Sequence, residues 1–157
     1  MLVGVISDTH GYTDPKLGDL FRHADYIIHA GDIGTPDVLD RLGKIAPILA
    51  VRGNVDRDPR LLTLPQQIML SLAGFGVLVV HRVQDAIPDP DTRVIISGHS
   101  HRPVNEWRDR ILYLNPGAAG RQGFHRERTV SLLHLEDSAA ATFIALGPRS
   151  RENRAAK

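Results

Sequence analysis

Seven side chains with metal-ligand chemistry follow apolar runs of the sequence. Two runs are followed by a pair of such residues, Asp8 with His10 and His99 with His101. Three further runs are followed by one residue each. The complete set is Asp8, His10, Asp32, Asn54, His81, His99 and His101. Carboxylate, imidazole and amide groups together suit divalent first-row metals such as Mn²⁺, Fe²⁺, Zn²⁺ or Ni²⁺.

The size of this set predicts two metal ions rather than one. Seven ligands exceed what a single ion needs, and two ions that share a carboxylate would use them all. Two metals about 3.5–4 Å apart are a known arrangement for phosphoryl chemistry, since they activate water and hold substrate oxygens. Residues two apart at a strand end point to the same side, which accounts for the Asp-x-His and His-x-His spacing. We interpret the set as one two-metal site.

The apolar runs before these ligands are predicted strands. The first three alternate with helix signals such as Thr35-Pro36, in a strand, loop and helix pattern. This pattern predicts a parallel sheet with ligands beyond its strand ends. Later runs come in pairs, at 67–73 with 76–80, 105–109 with 111–115, and 129–135 with 139–146. The first two pairs predict hairpins and the third a closing pair of strands.

Length and composition limit the class of protein. The 157 residues predict a single domain, residues 1–157, in which the polar, basic residues 147–157 form a flexible tail. A net charge of +1 gives no general attraction to nucleic acid or anionic membrane. The sequence has no cysteine, which excludes disulfides and thiolate metal sites. We read no signal peptide and no membrane span, so we expect a cytoplasmic protein without a membrane partner.

Taken together, these motifs resemble the calcineurin-like metallophosphoesterases, in particular their small bacterial and archaeal phosphodiesterase branch. The resemblance is carried by Asp8-x-His10, Gly31-Asp32, Gly53-Asn54-Val55-Asp56, His81, Gly98-His99-Ser100-His101 and Asn115-Pro116-Gly117. It implies an α/β fold in which two mixed β-sheets pack as a sandwich. Helices would flank the sheets outside, which gives the four-layer αββα metallophosphoesterase fold.

The resemblance also implies a hydrolase, a phosphodiesterase or phosphatase with two divalent ions. Mn²⁺ is the first choice, and Ni²⁺, Fe²⁺ and Zn²⁺ are alternatives. One ion would be held by Asp8, His10 and His101 and the other by Asn54, His81 and His99, with Asp32 as the bridge. A hydroxide between the metals would attack phosphorus. The implied catalytic residues are Asp32, Asn54 and His99.

Arginines beside the ligand loops are candidates for binding the substrate, a small phosphate ester. They are Arg52, Arg82 and Arg102, and a guanidinium can bind phosphate through two hydrogen bonds. Asp56 either orients a ligand or is a turn residue. The remaining histidines are assigned structural roles: His23, His29, His125 and His134. A homo-oligomer is left open.

Three features depart from the family pattern. Val55 stands where many members have a histidine that can protonate the leaving group. Arg82 follows His81 where many relatives have glycine. The segment from there to His99 is short and contains prolines, where relatives often have a helix.

Two other function classes are weighed against catalysis. The family includes a retromer subunit that serves as a protein-binding scaffold, so a scaffold with weak or no catalysis is the alternative. The presence of competent ligands at all seven positions favours the enzyme. A nuclease is ranked low, because the near-neutral charge predicts no long basic groove.

Overall fold

Within residues 1–123 and 125–149, which the computed structural model describes, ten strands form two five-stranded sheets. The strands are β1 (Leu2–Ile6), β2 (Tyr26–His29), β3 (Ile48–Ala50), β4 (Gln67–Leu72), β5 (Phe75–Val80), β6 (Thr92–Ile96), β7 (Val104–Arg108), β8 (Ile111–Asn115), β9 (Glu127–Leu135) and β10 (Ala139–Pro148). The described residues also contain three short helices, α1 (Leu17–Leu20), α2 (Pro36–Leu42) and α3 (Pro59–Leu62). No helix in this part of the protein is long and apolar enough to cross a membrane.

The first sheet has a parallel centre with antiparallel strands on one side. Its order is β10-β9-β1-β2-β3, in which β1, β2 and β3 run parallel and β9 runs antiparallel to both neighbours. Strand β1 is rich in Val and Ile, and Val3 and Val5 are fully buried. Such residues favour a strand that is covered on both faces. The parallel arrangement brings the ends of β1, β2 and β3 to the same edge.

The second sheet has the order β4-β5-β6-β8-β7. Strands β5, β6 and β8 run parallel, while β4 and β7 form antiparallel hairpins with β5 and β8. Both hairpins predicted from the sequence are therefore confirmed. The parallel pairing of β5 with β6 places their carboxyl ends side by side.

The two sheets pack face to face through one apolar cluster that includes Val5 and Ile28 of the first sheet and Val79 and Ile96 of the second. A second cluster lies on the other face of the first sheet, where side chains of α1, α2 and α3 cover it. The expected fold, two mixed sheets in a sandwich with flanking helices, is confirmed. Between β5 and β6 the structure has a 3₁₀ helix, Val83–Asp85, and no α-helix, in a segment that the sequence marks as short and proline-containing.

The end of the chain differs from the predicted flexible tail. Strand β10 continues to Pro148, and the sheet pairs Gly147 with Arg128 across a register shift. Arg149 still belongs to this ladder, because its backbone N–H donates to the carbonyl of Arg126 at 2.8 Å. The predicted tail boundary at residue 147 is therefore wrong for residues 147–149. The shift lets pairing continue after the apolar pattern has stopped. Residues 150–157 lie outside the described part.

Candidate metal centre

The ligand residues predicted from the sequence lie in the loops that follow β1, β2, β3, β5 and β6. Six of them form two groups. The first group is Asp8, His10 and His101, and the second group is Asp32, His81 and His99. Within each group the ligand atoms all lie within 4.8 Å of one another. Asn54 adjoins the second group, since its Oδ1 is 3.0 Å from His81 Nε2 and 3.0 Å from His99 Nδ1.

The backbone of these loops is unusual. Five ligand residues have positive φ: Asp8 at 53°, His10 at 47°, Asp32 at 53°, His99 at 65° and His101 at 58°. This left-handed region is uncommon for residues other than glycine and costs about 1–3 kcal/mol for each. Each ligand pair lies beyond the end of its strand. The direction of its side chains is therefore set by the strained turn, and not by the alternation along a strand that the spacing suggested. Such strain gathers at functional sites.

The first group contains an unsatisfied buried carboxylate oxygen. Oδ2 of Asp8 accepts hydrogen bonds from Ser7 Oγ at 2.7 Å and from the backbone N–H of His99 at 3.1 Å. Among the residues that the structure describes, none donates a hydrogen bond to Oδ1, which lies 3.2 Å from His101 Nε2. The Nε2 atoms of His10 and His101 are 3.4 Å apart. An unpaired buried anion is costly, and two ring nitrogens beside it complete a donor set that fits a divalent cation.

In the second group two side-chain oxygens lie close to one ring nitrogen, Nε2 of His81. Nδ1 of His81 donates to the carbonyl of Ala30 at 2.7 Å, which directs Nε2 toward Asn54 and toward Asp32 Oδ1, 3.3 Å away. Burial alone would lower the pKa of His81, but the hydrogen bond and charge of Asp32 outweigh it and raise the pKa. The raised pKa favours a proton on this nitrogen, between the oxygens of Asn54 and Asp32. A metal ion bound there would replace that proton.

Asp32 is the carboxylate with the strongest electrostatic effect on a histidine of each group. Burial lowers the pKa of His10, and the charge of Asp32 is the strongest effect that opposes it. In the second group the same carboxylate contacts His81, and its Oδ1 also accepts the backbone N–H of Val55 at 3.1 Å. Asp32 therefore faces a histidine of each group.

Two polar side chains fasten the ligand loops together. Asp56 is buried, and its two carboxylate oxygens accept the N–H groups of Gly34 and Gly53, each at 2.8 Å. It thus joins the loops after β2 and β3, which decides in favour of an orienting role over a plain turn. Asn115 donates to the carbonyl of Gly98 at 2.7 Å and supports the turn that carries His99. The sequence reasoning missed Ser7, although it directly precedes Asp8.

His29 has a structural role, as the sequence predicted, and its ring links two of the loops. Thr9 Oγ1 donates to the carbonyl of Ile33 at 2.9 Å, so it accepts the Nε2–H of His29, also at 2.9 Å. Nδ1 of the ring accepts the N–H of Gly31 at 3.2 Å. Complete burial lowers the pKa of His29 from 6.5 to about 3, so the ring stays neutral in the folded protein.

The protein is therefore expected to lose stability in acid through His29. The unfolded chain binds this proton near pH 6.5 and the folded chain only near pH 3, so stability falls as the pH drops between these values. From about pH 7.5 to about pH 5 the loss should be about 2 kcal/mol. Urea unfolding at both pH values should show a smaller loss for His29→Gln. The exposed control His134→Gln should keep the wild-type loss, and equal losses in all three proteins would refute the assignment.

A cleft of about 340 Å³ adjoins the second group. Arg52 and Arg82 line it together with Asn54 and His81. Arg102 is exposed and does not line the cleft. The structure therefore places two of the three predicted substrate-binding arginines in this cleft, and Arg102, which directly follows His101, outside it.

Comparisons with known proteins agree with this geometry. A family model described as the calcineurin-like phosphoesterase superfamily domain matches residues 1–138. The chain is 37% identical over 136 residues to a probable metallophosphoesterase of Methanothermobacter thermautotrophicus, which covers 75% of this chain and 77% of that protein.

Solved structures share the fold. An archaeal phosphodiesterase superposes with a TM-score of 0.81 at 24% identity, covering 92% of this chain and 99% of that one. A single mutant of Vps29 from Entamoeba histolytica has a TM-score of 0.74 at 19% identity, with the same coverage of 92% and 99%. The family model and the sequence relative go further than the shared fold and show that this chain belongs to the calcineurin-like phosphoesterase superfamily.

Proposed function

We propose that the protein is a metal-dependent phosphodiesterase with a dinuclear centre. The observation that carries the proposal is the pair of ligand groups at the loop edge, with Asp32 acting on a histidine of each. In the proposed arrangement Asp8, His10 and His101 hold one ion, Asn54, His81 and His99 hold the other, and Asp32 bridges them. Two divalent ions, when bound, activate the attacking water and neutralise charge on the phosphoryl oxygens.

The substrate would approach from the side of the two exposed ligands. Asn54 and His99 are the members of the set that lie open to solvent, whereas Asp8, Asp32 and His81 are buried. We therefore keep Asn54 and His99, together with Asp32, as the residues nearest the reacting phosphate. Mn²⁺ is the proposed metal, with Ni²⁺, Fe²⁺ and Zn²⁺ as alternatives that the same donor set accepts.

The cleft supports a small anionic ester as substrate. The guanidinium groups of Arg52 and Arg82 can hold its phosphoryl oxygens there. The side chain of Val55 is 39% exposed, and as a hydrocarbon it cannot donate a proton to a leaving group. We therefore expect faster hydrolysis of esters whose leaving group departs without protonation, such as nitrophenyl esters.

A scaffold that binds another protein is the second candidate, and the likeness of the fold to Vps29 favours it. The two candidates differ in what the ligand groups do. In a scaffold the groups have no reaction to support, whereas in the enzyme every ligand contributes to hydrolysis.

The proposal is tested by metal replacement. The protein is stripped of metal and loaded with Mn²⁺, Ni²⁺ or Zn²⁺ singly, and each form is assayed on chromogenic phosphate monoesters and diesters. We expect hydrolysis with at least one metal, faster on diesters, and none in the stripped protein. Failure of every metal form on every ester would reject the enzyme and favour the scaffold.

A further inference from the structure

Arg149 lies at the ligand groups although it comes from the far end of the chain. It directly follows β10, and its backbone hydrogen bond to Arg126 fixes where its side chain starts. The family model ends at residue 138, so β10 and Arg149 lie beyond the part of the chain that it matches.

The guanidinium of Arg149 is buried without a partner. Among the described residues, none of its three side-chain nitrogens makes a hydrogen bond. The neighbouring Arg128, by contrast, has hydrogen-bond partners within the protein. Its guanidinium donates to Asp14 Oδ2 at 2.6 Å and to the carbonyl of Leu146 at 3.2 Å. The charge of Asp8 acts favourably on this cation, but buried N–H donors without a hydrogen bond in the described part of the chain are unfavourable. Their retention points to an anion that comes from outside the protein.

Gly123 shows which part of the molecule this guanidinium borders. A Cβ built on Gly123 would overlap both Arg149 Nη1 and His101 Nδ1, so the two nitrogens flank the same glycine. The φ of Gly123 is +124°, a conformation that other residues rarely adopt. The glycine therefore leaves room for the guanidinium beside the imidazole of the first group. Arg52 and Arg82, by contrast, line the cleft at the second group.

We propose that Arg149 binds the substrate by donating hydrogen bonds to a non-bridging oxygen of the phosphate ester at the first group. The inference rests on the proposed function, and it adds a cation at the first group, whereas Arg52 and Arg82 adjoin the second. A guanidinium supplies paired N–H donors with a fixed charge, which suits a phosphoryl group. A phosphate bound there would satisfy the donors that the protein leaves unpaired.

The test compares Arg149→Ala and Arg149→Lys with Arg41→Ala. Arg41 is exposed on α2 and contacts Asp37, so its replacement removes the same charge away from the ligand groups. Three quantities are measured on Mn²⁺-loaded protein: the KM for a chromogenic diester, the Kd for inorganic phosphate by calorimetry, and the bound metal. The melting temperature is measured as well.

We expect Arg149→Ala to raise both KM and the phosphate Kd by about tenfold or more, as loss of a charged hydrogen bond does. Arg149→Lys should recover part of the phosphate affinity, and Arg41→Ala should stay within about twofold of wild type. Bound metal should not change. The melting temperature of Arg149→Ala should not fall, because the alanine removes a buried charge that makes no hydrogen bond to the described residues.

A phosphate Kd for Arg149→Ala equal to that of wild type would overturn the proposal. A lower melting temperature or loss of metal in that variant, with unchanged phosphate affinity, would show a structural role and overturn it too. If wild type hydrolyses no ester, the proposed function fails, but the phosphate Kd still decides for or against Arg149.

Discussion

Replacing Asp32 with asparagine is expected to reduce hydrolysis of a chromogenic diester by about a thousandfold, equivalent to about 4 kcal/mol of transition-state stabilisation. The change keeps the size of the side chain and removes the charge that raises the pKa of both His10 and His81 most strongly. Without that charge the two ions would no longer share a ligand. Metal analysis of the same variant should show fewer ions per chain than in wild type.

The control for this prediction is Asp37→Asn. Asp37 is exposed on α2, where its carboxylate contacts Arg41. Its loss removes an equal charge from the surface, and we expect kcat/KM to remain within about twofold of wild type because exposed ion pairs contribute little. Full activity in Asp32→Asn, with unchanged metal content, would reject the bridging role.

Gly53→Ala is the second change with a large expected effect. A Cβ at residue 53 would overlap the backbone nitrogen and Oδ1 of Asp32, so one of the two loops must move. Because both loops carry ligands, we expect activity to fall at least about a hundredfold, in line with the effect of small displacements in active sites. Activity and metal content are measured after refolding the variant in excess Mn²⁺.

Gly18→Ala is the matched substitution. A Cβ on Gly18, in the short helix α1, would meet nothing within 4 Å. Alanine is also the better helix former, so activity and stability should not decrease. Wild-type activity in Gly53→Ala would mean that the loops after β2 and β3 do not need their close approach.

The strands could be predicted from the sequence because the apolar runs are long enough and rich in β-branched residues. The helices were less predictable. Asp14-Pro15 carries a start signal, yet α1 begins only at Leu17. The carboxylate of Asp14 accepts the N–H of Lys16 and also pairs with Arg128. Asp58-Pro59 carries the same signal, and there the four-residue helix α3 does begin, with Asp58 accepting the N–H of Arg60. A start signal does not reveal how its carboxylate is used.

The ligand set was predictable for a different reason. Metal ligands must be of a few residue types, and each candidate lies just beyond a strand, so type and position together predict the set. Their left-handed backbone could not be read from the sequence, because it depends on hydrogen bonds between loops far apart in the chain. Arg149 was missed because nothing near it in sequence distinguishes it from the other arginines at the end of the chain. Its role follows only from the pairing of β9 with β10, which brings that end to His101.

The central claim is that the ligand groups bind two ions that work together in hydrolysis. The most direct test is a titration of the metal-stripped protein with Mn²⁺ while the initial rate of diester hydrolysis is recorded. We expect the rate to rise until about two equivalents per chain have been added and then to remain constant. Saturation at about one equivalent, or no hydrolysis at any amount of Mn²⁺, would contradict the two-metal account.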